Sequence, residues 1–276
     1  MAIRMNLSIQ PVQGRHECPL STVAHVAFSD VRQTTLDLQY GITLSYNLPT
    51  AFYAAKVNGE SFSGPQRNKP VADRYQASLL DELHWLLSIP EATLHPGSYS
   101  PSRKLLSIPE ATLPTVFMSC YGSFEAPDSA AFLDASCSLF AQLGARGIST
   151  IMASGDDGVG DTCILPNSKS SRFQPTYPSS CPFVISVGGT TGINPERAIS
   201  FSSGGFSDHS PRPAYQATAV DAYLQILADG SGGNTRGTGW AGLYKSTGRG
   251  YPDVAAQSSD FFIVDGGQFA LMDRTS

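Results

Sequence analysis

The sequence has no basic tract, no long apolar run and no paired-cysteine motif, and each absence removes a class of function. Lys and Arg number 18 against 23 Asp and Glu, a formal charge of −5 with a pI near 5.5. Without a clustered positive field, nucleic acid is not an expected partner. No stretch approaches the roughly 20 apolar residues that span a bilayer, so no membrane partner is expected and the chain reads as soluble. Near the amino terminus, Asn6, Ser8 and Gln10 interrupt any apolar segment of a secretory signal. Cys18, Cys120, Cys137, Cys163 and Cys181 are odd in number and lack Cys-x-x-Cys spacing, which argues against zinc. Cys163 and Cys181 bracket a loop rich in Pro and Ser. A disulfide between them would restrain that loop and imply an oxidising compartment; two free thiols are the alternative.

What is abundant is turn-forming and apolar material: 26 Gly and 19 Pro in 276 residues, 41% of them hydrophobic. That composition describes a loop-rich globular protein with enough apolar residues for a large core, in one domain or two. Tyr75, Leu79, Leu83, Trp85 and Leu87 fall largely on a helical period that Pro90 ends. A strand is expected from Pro114 to Gly122. After it comes a helix capped by Asp128, with Phe132, Ala135, Leu139, Phe140 and Leu143 on one face and Gly144 as its stop. Further strands are expected at Ile148–Ala153, at Pro182–Val187 running into Gly188-Gly189, and at Phe261–Val264 before Gly266-Gly267. Strand, helix, strand in this order predicts a parallel sheet covered by helices. LLSIPEATL occurs twice, at Leu86–Leu94 and Leu105–Leu113. One identical pair does not make a solenoid, so residues 95–113 read as a duplication or gene-prediction error forming a surface loop.

Three segments carry candidate chemistry. ISTIMASGDDGVG, Ile148–Gly160, runs a buried strand into a glycine-rich loop bearing Asp156 and Asp157. Loops beyond strand carboxyl ends are where α/β sheets place reacting groups, although Asp and Gly are also ordinary turn residues. In VRQTTLDLQY, Val31–Tyr40, Gln33 and Asp37 stand four apart and share a face if the segment is helical. RGYPDVAA, Arg249–Ala256, is followed by a strand, a Gly-Gly turn and a terminal DRTS ending at Ser276.

Together with SCYGSFE (Ser119–Glu125), RFQPTYPSSCPFVISVGGT (Arg172–Thr190) and FSSGGFSDHSPRPAYQ (Phe201–Gln216), these segments form six blocks in one order. In that order the chain resembles the sedolisins, the serine-carboxyl peptidases that include the tripeptidyl peptidases. The resemblance implies an α/β, subtilisin-like fold, a parallel sheet between helix layers in a three-layer αβα arrangement, here incomplete at both ends. It places a partial catalytic domain over residues 32–276, with an inserted loop near 95–113, and leaves residues 1–31 poorly matched. It implies a peptidase working in acid on peptides and denatured proteins, as a tripeptidyl-peptidase or an endopeptidase. The expected protein is a monomer, extracellular or else in a vacuole or lysosome.

The implied chemistry suits low pH, where imidazole is already protonated and carboxylates titrate. In sedolisins a Glu takes the serine proton, an Asp one helical turn on orients that Glu, and a distant protonated Asp helps form the oxyanion hole. On this sequence the orienting Asp matches Asp37, the oxyanion Asp matches Asp156, and the nucleophile of the family's Gly-Thr-Ser motif matches Ser276. Ser119, Cys120, Tyr121 and Gly122 match the strand that lies along the substrate.

Two positions depart from the pattern. The base position holds Gln33, whose amide cannot take a proton, and the glycine before Thr-Ser is Arg274. The family's calcium site and nucleophile helix lie beyond Ser276, so no metal ligands are assigned here. The expectation is a fragment or mispredicted gene with an exposed sheet surface and impaired activity. Its alternative is an inactive relative that still binds peptide. Rival motifs fail on spacing: Asp156, Asp157 and Asp161 lack EF-hand alternation, SVGGTTG lacks the Lys of a phosphate loop, and none of the five histidines pairs with the candidate nucleophile.

Overall fold

The structure, a computed structural model, describes residues 7–12, 31–44, 50–55, 79–80, 83–84, 86–88, 115–126, 128–160, 172–229, 240 and 242–275. The expected loop at 95–113, Cys18, Cys163 and Ser276 lie outside the described residues, as does the side chain of Gln33. In chain order the elements are β1 (Leu7–Val12), α1 (Val31–Leu44), β2 (Thr50–Ala55), β3 (Val116–Ser119), β4 (Ser123–Phe124) and α2 (Ala130–Ala145). There follow β5 (Ser149–Ala153), β6 (Thr176–Tyr177), β7 (Ile185–Thr191), β8 (Arg197–Ala198) and β9 (Gly205–Pro211). Last come α3 (Ala217–Asp229), β10 (Gly248–Tyr251), β11 (Val254–Gln257), β12 (Phe261–Asp265) and β13 (Gln268–Met272).

The central sheet runs in the order β11-β7-β5-β3, with β8 added antiparallel to β7. Its three long pairings are all parallel, as strand-helix-strand connection demands. α2 returns the chain from β3 to β5 and covers one face. Ser129 rather than Asp128 caps it, accepting from the Phe132 amide at 3.2 Å, because the side chain three residues before the donor has the reach of an N-cap. Phe132, Leu133, Ser136, Cys137, Leu139, Phe140 and Leu143 are buried; Ala135, expected inward, is exposed. Gly144 stays inside the helix, and Gly147, with φ +81°, makes the left-handed exit.

Leu79, Leu83 and Leu86 pack into the same core. Their i, i+4, i+7 spacing is helical, and it buries Leu86 where the periodicity pointed to Leu87, which is only partly buried. On the opposite sheet face, register aligns Met118 with Ile151 and Ile185, and Val187 with Val254. Val116, Met118, Ile185 and Val254 are exposed there.

Three further expectations are corrected. Cys181 is bonded to Cys137, not to Cys163: α2 folds back over the sheet and brings the two Cα atoms to 5.7 Å. The strand expected at Pro182–Val187 begins at Ile185 and continues through Gly188 and Gly189. Those glycines do not turn the chain; a Cβ on Gly188 would lie 2.7 Å from the Pro252 ring, so glycine permits close approach. The last strand does not join the parallel sheet. β12 and β13 form an antiparallel hairpin through Gly266 and Gly267, both at positive φ. Its Ile263 and Met272 pack on Leu36 of α1, and Tyr40 meets Phe261 edge-on at 4.8 Å.

The junction between β10, β7 and β11 is built around a fully buried guanidinium. Arg249 donates to Gly250 O at 2.7 Å and Val184 O at 3.1 Å and pairs with Asp253. Asp253 in turn accepts from the Ser186 amide at 2.8 Å and from Gln216 at 3.1 Å. Removing Arg249 leaves Asp253, which keeps 23% of its side-chain surface in solvent, so the cost falls at the lower end of the buried-pair range, about 3 kcal/mol. Arg249→Ala is therefore expected to lower the unfolding free energy by about that amount in urea titration, and a loss within noise would contradict this role. Peptide mapping without reductant is expected to recover Cys137 linked to Cys181.

Candidate active site

The loop after β5 is held in place by three distant segments. Ser154 donates its amide to Val187 O at 2.8 Å, and Thr176 Oγ1 donates to Ser154 O at 2.6 Å. Ser203 binds Gly155 O through its amide at 2.8 Å and accepts the Asp157 amide at 3.1 Å. Gly155 sits at φ +108°, where a Cβ would also lie 2.9 Å from Ser203 Oγ, so both conformation and space require glycine. This scaffold fixes Asp156 at the carboxyl end of a central strand.

Residues 274–275 come to that acid. Thr275, itself buried, donates its amide to Asp156 Oδ1 at 2.7 Å and its hydroxyl to the same oxygen at 2.9 Å. The Gly155 amide donates back to Thr275 Oγ1 at 3.2 Å. Arg274 Nε stands 3.5 Å from Asp156 Oδ2. Burial pushes the Asp156 carboxyl above its usual range, while the Thr275 hydrogen bonds and the Arg274 charge pull the other way. Burial is the largest of these effects.

A second acid lies close by. Asp37 is on α1, as the spacing of Gln33 and Asp37 requires, and its Oδ2 accepts the Cys120 thiol at 2.6 Å. Burial, with the Asp37 carboxylate beside it, pushes the Cys120 thiol well up, and Asp156 adds to the same effect. Cys120 therefore remains a protonated donor between the two acids. Its neighbours form the strand end: Ser119 Oγ accepts the Tyr121 amide at 3.3 Å, Tyr121 packs on the core, and a Cβ at Gly122 would lie 2.9 Å from Tyr177 O. Among the described residues β3 has one strand partner, β5.

No protein-family model matches the chain. It is 43% identical over 246 residues to the tripeptidyl-peptidase SED3 of Arthroderma otae, covering 88% of this chain and 36% of that one. Over the same shares of each chain it is 39% identical to the tripeptidyl-peptidase SED2 of that organism. Pseudomonas sedolisin, a serine-carboxyl proteinase solved with two molecules of pseudo-iodotyrostatin, matches in fold with a TM-score of 0.57 at 17% identity, over 98% of this chain and 62% of that one. Over 88% of its own length the chain is thus similar to tripeptidyl-peptidases, and its fold is that of sedolisin. It spans about a third of the length of the curated relatives it matches, 36% in the alignments above.

Of the residues that the sedolisin resemblance selected, the structure brings Asp37, Cys120 and Asp156 into one neighbourhood and sets Thr275 on Asp156. Ser276 follows Thr275 in the chain but lies outside the described residues, and for Gln33 only its place on α1 is described. Two contacts escaped sequence reasoning, Cys120 on Asp37 and Arg274 against Asp156. Their signals were present as the residue before Tyr121-Gly122 and as the departure from Gly-Thr-Ser. Among the described residues no group of three or more His, Cys, Asp or Glu side chains could hold a metal ion.

The raised carboxyl has a consequence for stability. The folded chain binds the Asp156 proton more readily than the unfolded chain, so this residue's contribution is greatest below the usual 3.8. It declines as pH rises through the raised folded value. Asp156→Asn keeps an acceptor for Thr275 without the titration. Urea unfolding at about pH 3 and pH 7 is expected to show the variant gaining on the parent toward neutrality; a gain toward acid would refute the assignment.

Proposed function

We propose that this chain carries the site of an acid-acting serine peptidase that cleaves peptides and unfolded proteins, as a tripeptidyl-peptidase or an endopeptidase. The observation that carries the reading is the pair of hydrogen bonds from Thr275 to Asp156, which ties the residue before Ser276 to the loop acid. On this reading Ser276 Oγ adds to the scissile carbonyl carbon. Asp156, when protonated, donates to the oxygen on which negative charge develops. Burial favours that protonated state. Asp37 orients the side chain at position 33, and Ser119–Gly122 lies along the substrate in the manner of an added strand.

The serine proton has no acceptor in Gln33, whose amide can hold a hydrogen bond but not a proton. Turnover is accordingly expected to be low. Gln33 also supports a second reading, a relative that binds peptide along β3 without cleaving it. The Cys137–Cys181 disulfide favours an oxidising compartment, which supports a location outside the cell or in a vacuole or lysosome; the reading takes the protein as a monomer.

The two readings separate in one assay. Purified chain is incubated with a tripeptide-releasing chromogenic substrate near pH ~4, the range in which carboxylates titrate. Gln33→Glu is expected to raise kcat/KM by about 10²–10⁴, the usual share of general-base catalysis, and Ser276→Ala to remove that gain. Peptide binding with no turnover in Gln33→Glu would decide for the non-catalytic reading.

A further inference from the structure

Asp156 is held from both sides of its carboxyl group by different kinds of partner. Oδ1 takes both Thr275 hydrogen bonds, and Oδ2 faces Arg274 Nε at 3.5 Å. The charged groups around it come from several segments. Asp157 adjoins it on its own loop, Cys120 reaches in from the end of β3 with Asp37 of α1 behind it, and Arg274 approaches from beyond β13. All but Arg274 are acids or a neutral thiol.

Arg274 is not there by the accident of a long side chain. Its amide donates to Ser258 O at 3.0 Å, and its guanidinium reaches Asp273 O at 3.3 Å, so the backbone aims this residue at the loop. The sedolisin pattern has glycine at this position and hence no side chain to charge. The pair is too exposed, at 37% and 22% of side-chain surface, to matter much for folding. Its effect falls on one proton.

We propose that Arg274 is a positioning residue that sets how acid the surroundings must be before Asp156 carries a proton. A cation at this distance favours the carboxylate, and the carboxylate has no proton to donate. The carboxyl oxygen facing Arg274 is the one left open by Thr275, so the guanidinium also occupies the side from which Asp156 would donate. The consequence for catalysis rests on the peptidase reading; the protonation of Asp156 does not.

The test follows the carboxyl carbons of the aspartates by carbon-13 NMR through a pH titration, with Asp156→Asn supplying the assignment. Arg274→Gly and Arg274→Gln are each expected to raise the Asp156 midpoint by roughly half a unit to one unit, the low end of the arginine effect because the pair is partly solvated. Arg274→Lys, which keeps the charge, is expected to recover most of that difference. The glutamine variant guards against a purely backbone effect of glycine. Midpoints unmoved in both neutral variants, or moved as far by Lys as by Gly, would overturn the proposal.

A second arm uses the Gln33→Glu background, where the upper limb of the pH-rate profile is expected to move up with the Asp156 midpoint in Arg274→Gly. An unmoved limb with a moved midpoint would overturn the catalytic consequence alone. Absence of turnover in Gln33→Glu would count against the peptidase reading, while the titration still decides the role of Arg274.

Discussion

The pairing of a fully buried Arg249 with the partly exposed Asp253 is the constraint from which much of the described fold follows. A guanidinium taken out of water costs several kcal/mol, on the order of that for buried ions, and only close partners offset it. Here the partners are supplied by two separate stretches: Val184 O and the Ser186 amide at the start of β7, and Gln216 of the turn before α3, which also binds Gly250 at both its amide and carbonyl. The terminal nitrogens of Arg249 find these partners only if β10, β7 and that turn meet in one geometry. The pair therefore acts through specificity, excluding alternative packings more than adding net stability.

That junction also governs the site, although it lies on a different stretch of chain. It launches β11 in register with β7, Val254 opposite Val187 and Gln257 opposite Thr190. The register continues when the Ser258 amide binds Thr190 O at 2.9 Å, and the Arg274 amide then returns to Ser258 O at 3.0 Å after the β12–β13 hairpin. Thr275 is delivered to Asp156 by this path. Meanwhile the hairpin leans on α1 through Ile263, Met272 and Leu36, and Gln39 of α1 exchanges hydrogen bonds with both backbone groups of Val264 at 2.8 and 3.0 Å. The helix bearing Asp37 and the segment bearing Thr275 are thus positioned by each other.

Periodicity read the central elements well because each has one buried face. β3, β5 and α2 alternate or repeat their apolar residues against a single core, and α2 was found to within two residues. It failed where the determining contact is not local. The disulfide partner of Cys181 depends on how α2 crosses the sheet, which spacing along the chain does not encode. Gly188-Gly189 looks like a turn because the residues that crowd it most closely, Pro252 and Ser258, are more than sixty positions away. α3 was not read from the sequence, although Val220, Leu224 and Leu227 recur at helical spacing and are its partly buried face. Asp37 and Asp156 became legible only through the order of several motifs, since an acid in a helix and an acid in a glycine loop are each commonplace.

The two departures from the family pattern bear on different protons, and their consequences differ in kind. On the proposed roles, Gln33 removes the group that would accept the serine proton, and no change of pH returns an acceptor to a carboxamide. Arg274 acts on the proton that Asp156 must already hold, and added acid can overcome that. Position 33 therefore sets the height of any pH-rate profile, and position 274 sets where it falls. The Thr275 contacts join the two, because they hold Asp156 in place whichever protonation state it occupies: an amide and a hydroxyl donate to Oδ1 in both, leaving Oδ2 as the oxygen whose proton varies. A loop built this way can keep its geometry while losing its chemistry, which is why an intact Asp156 arrangement coexists with a base position that cannot act as one.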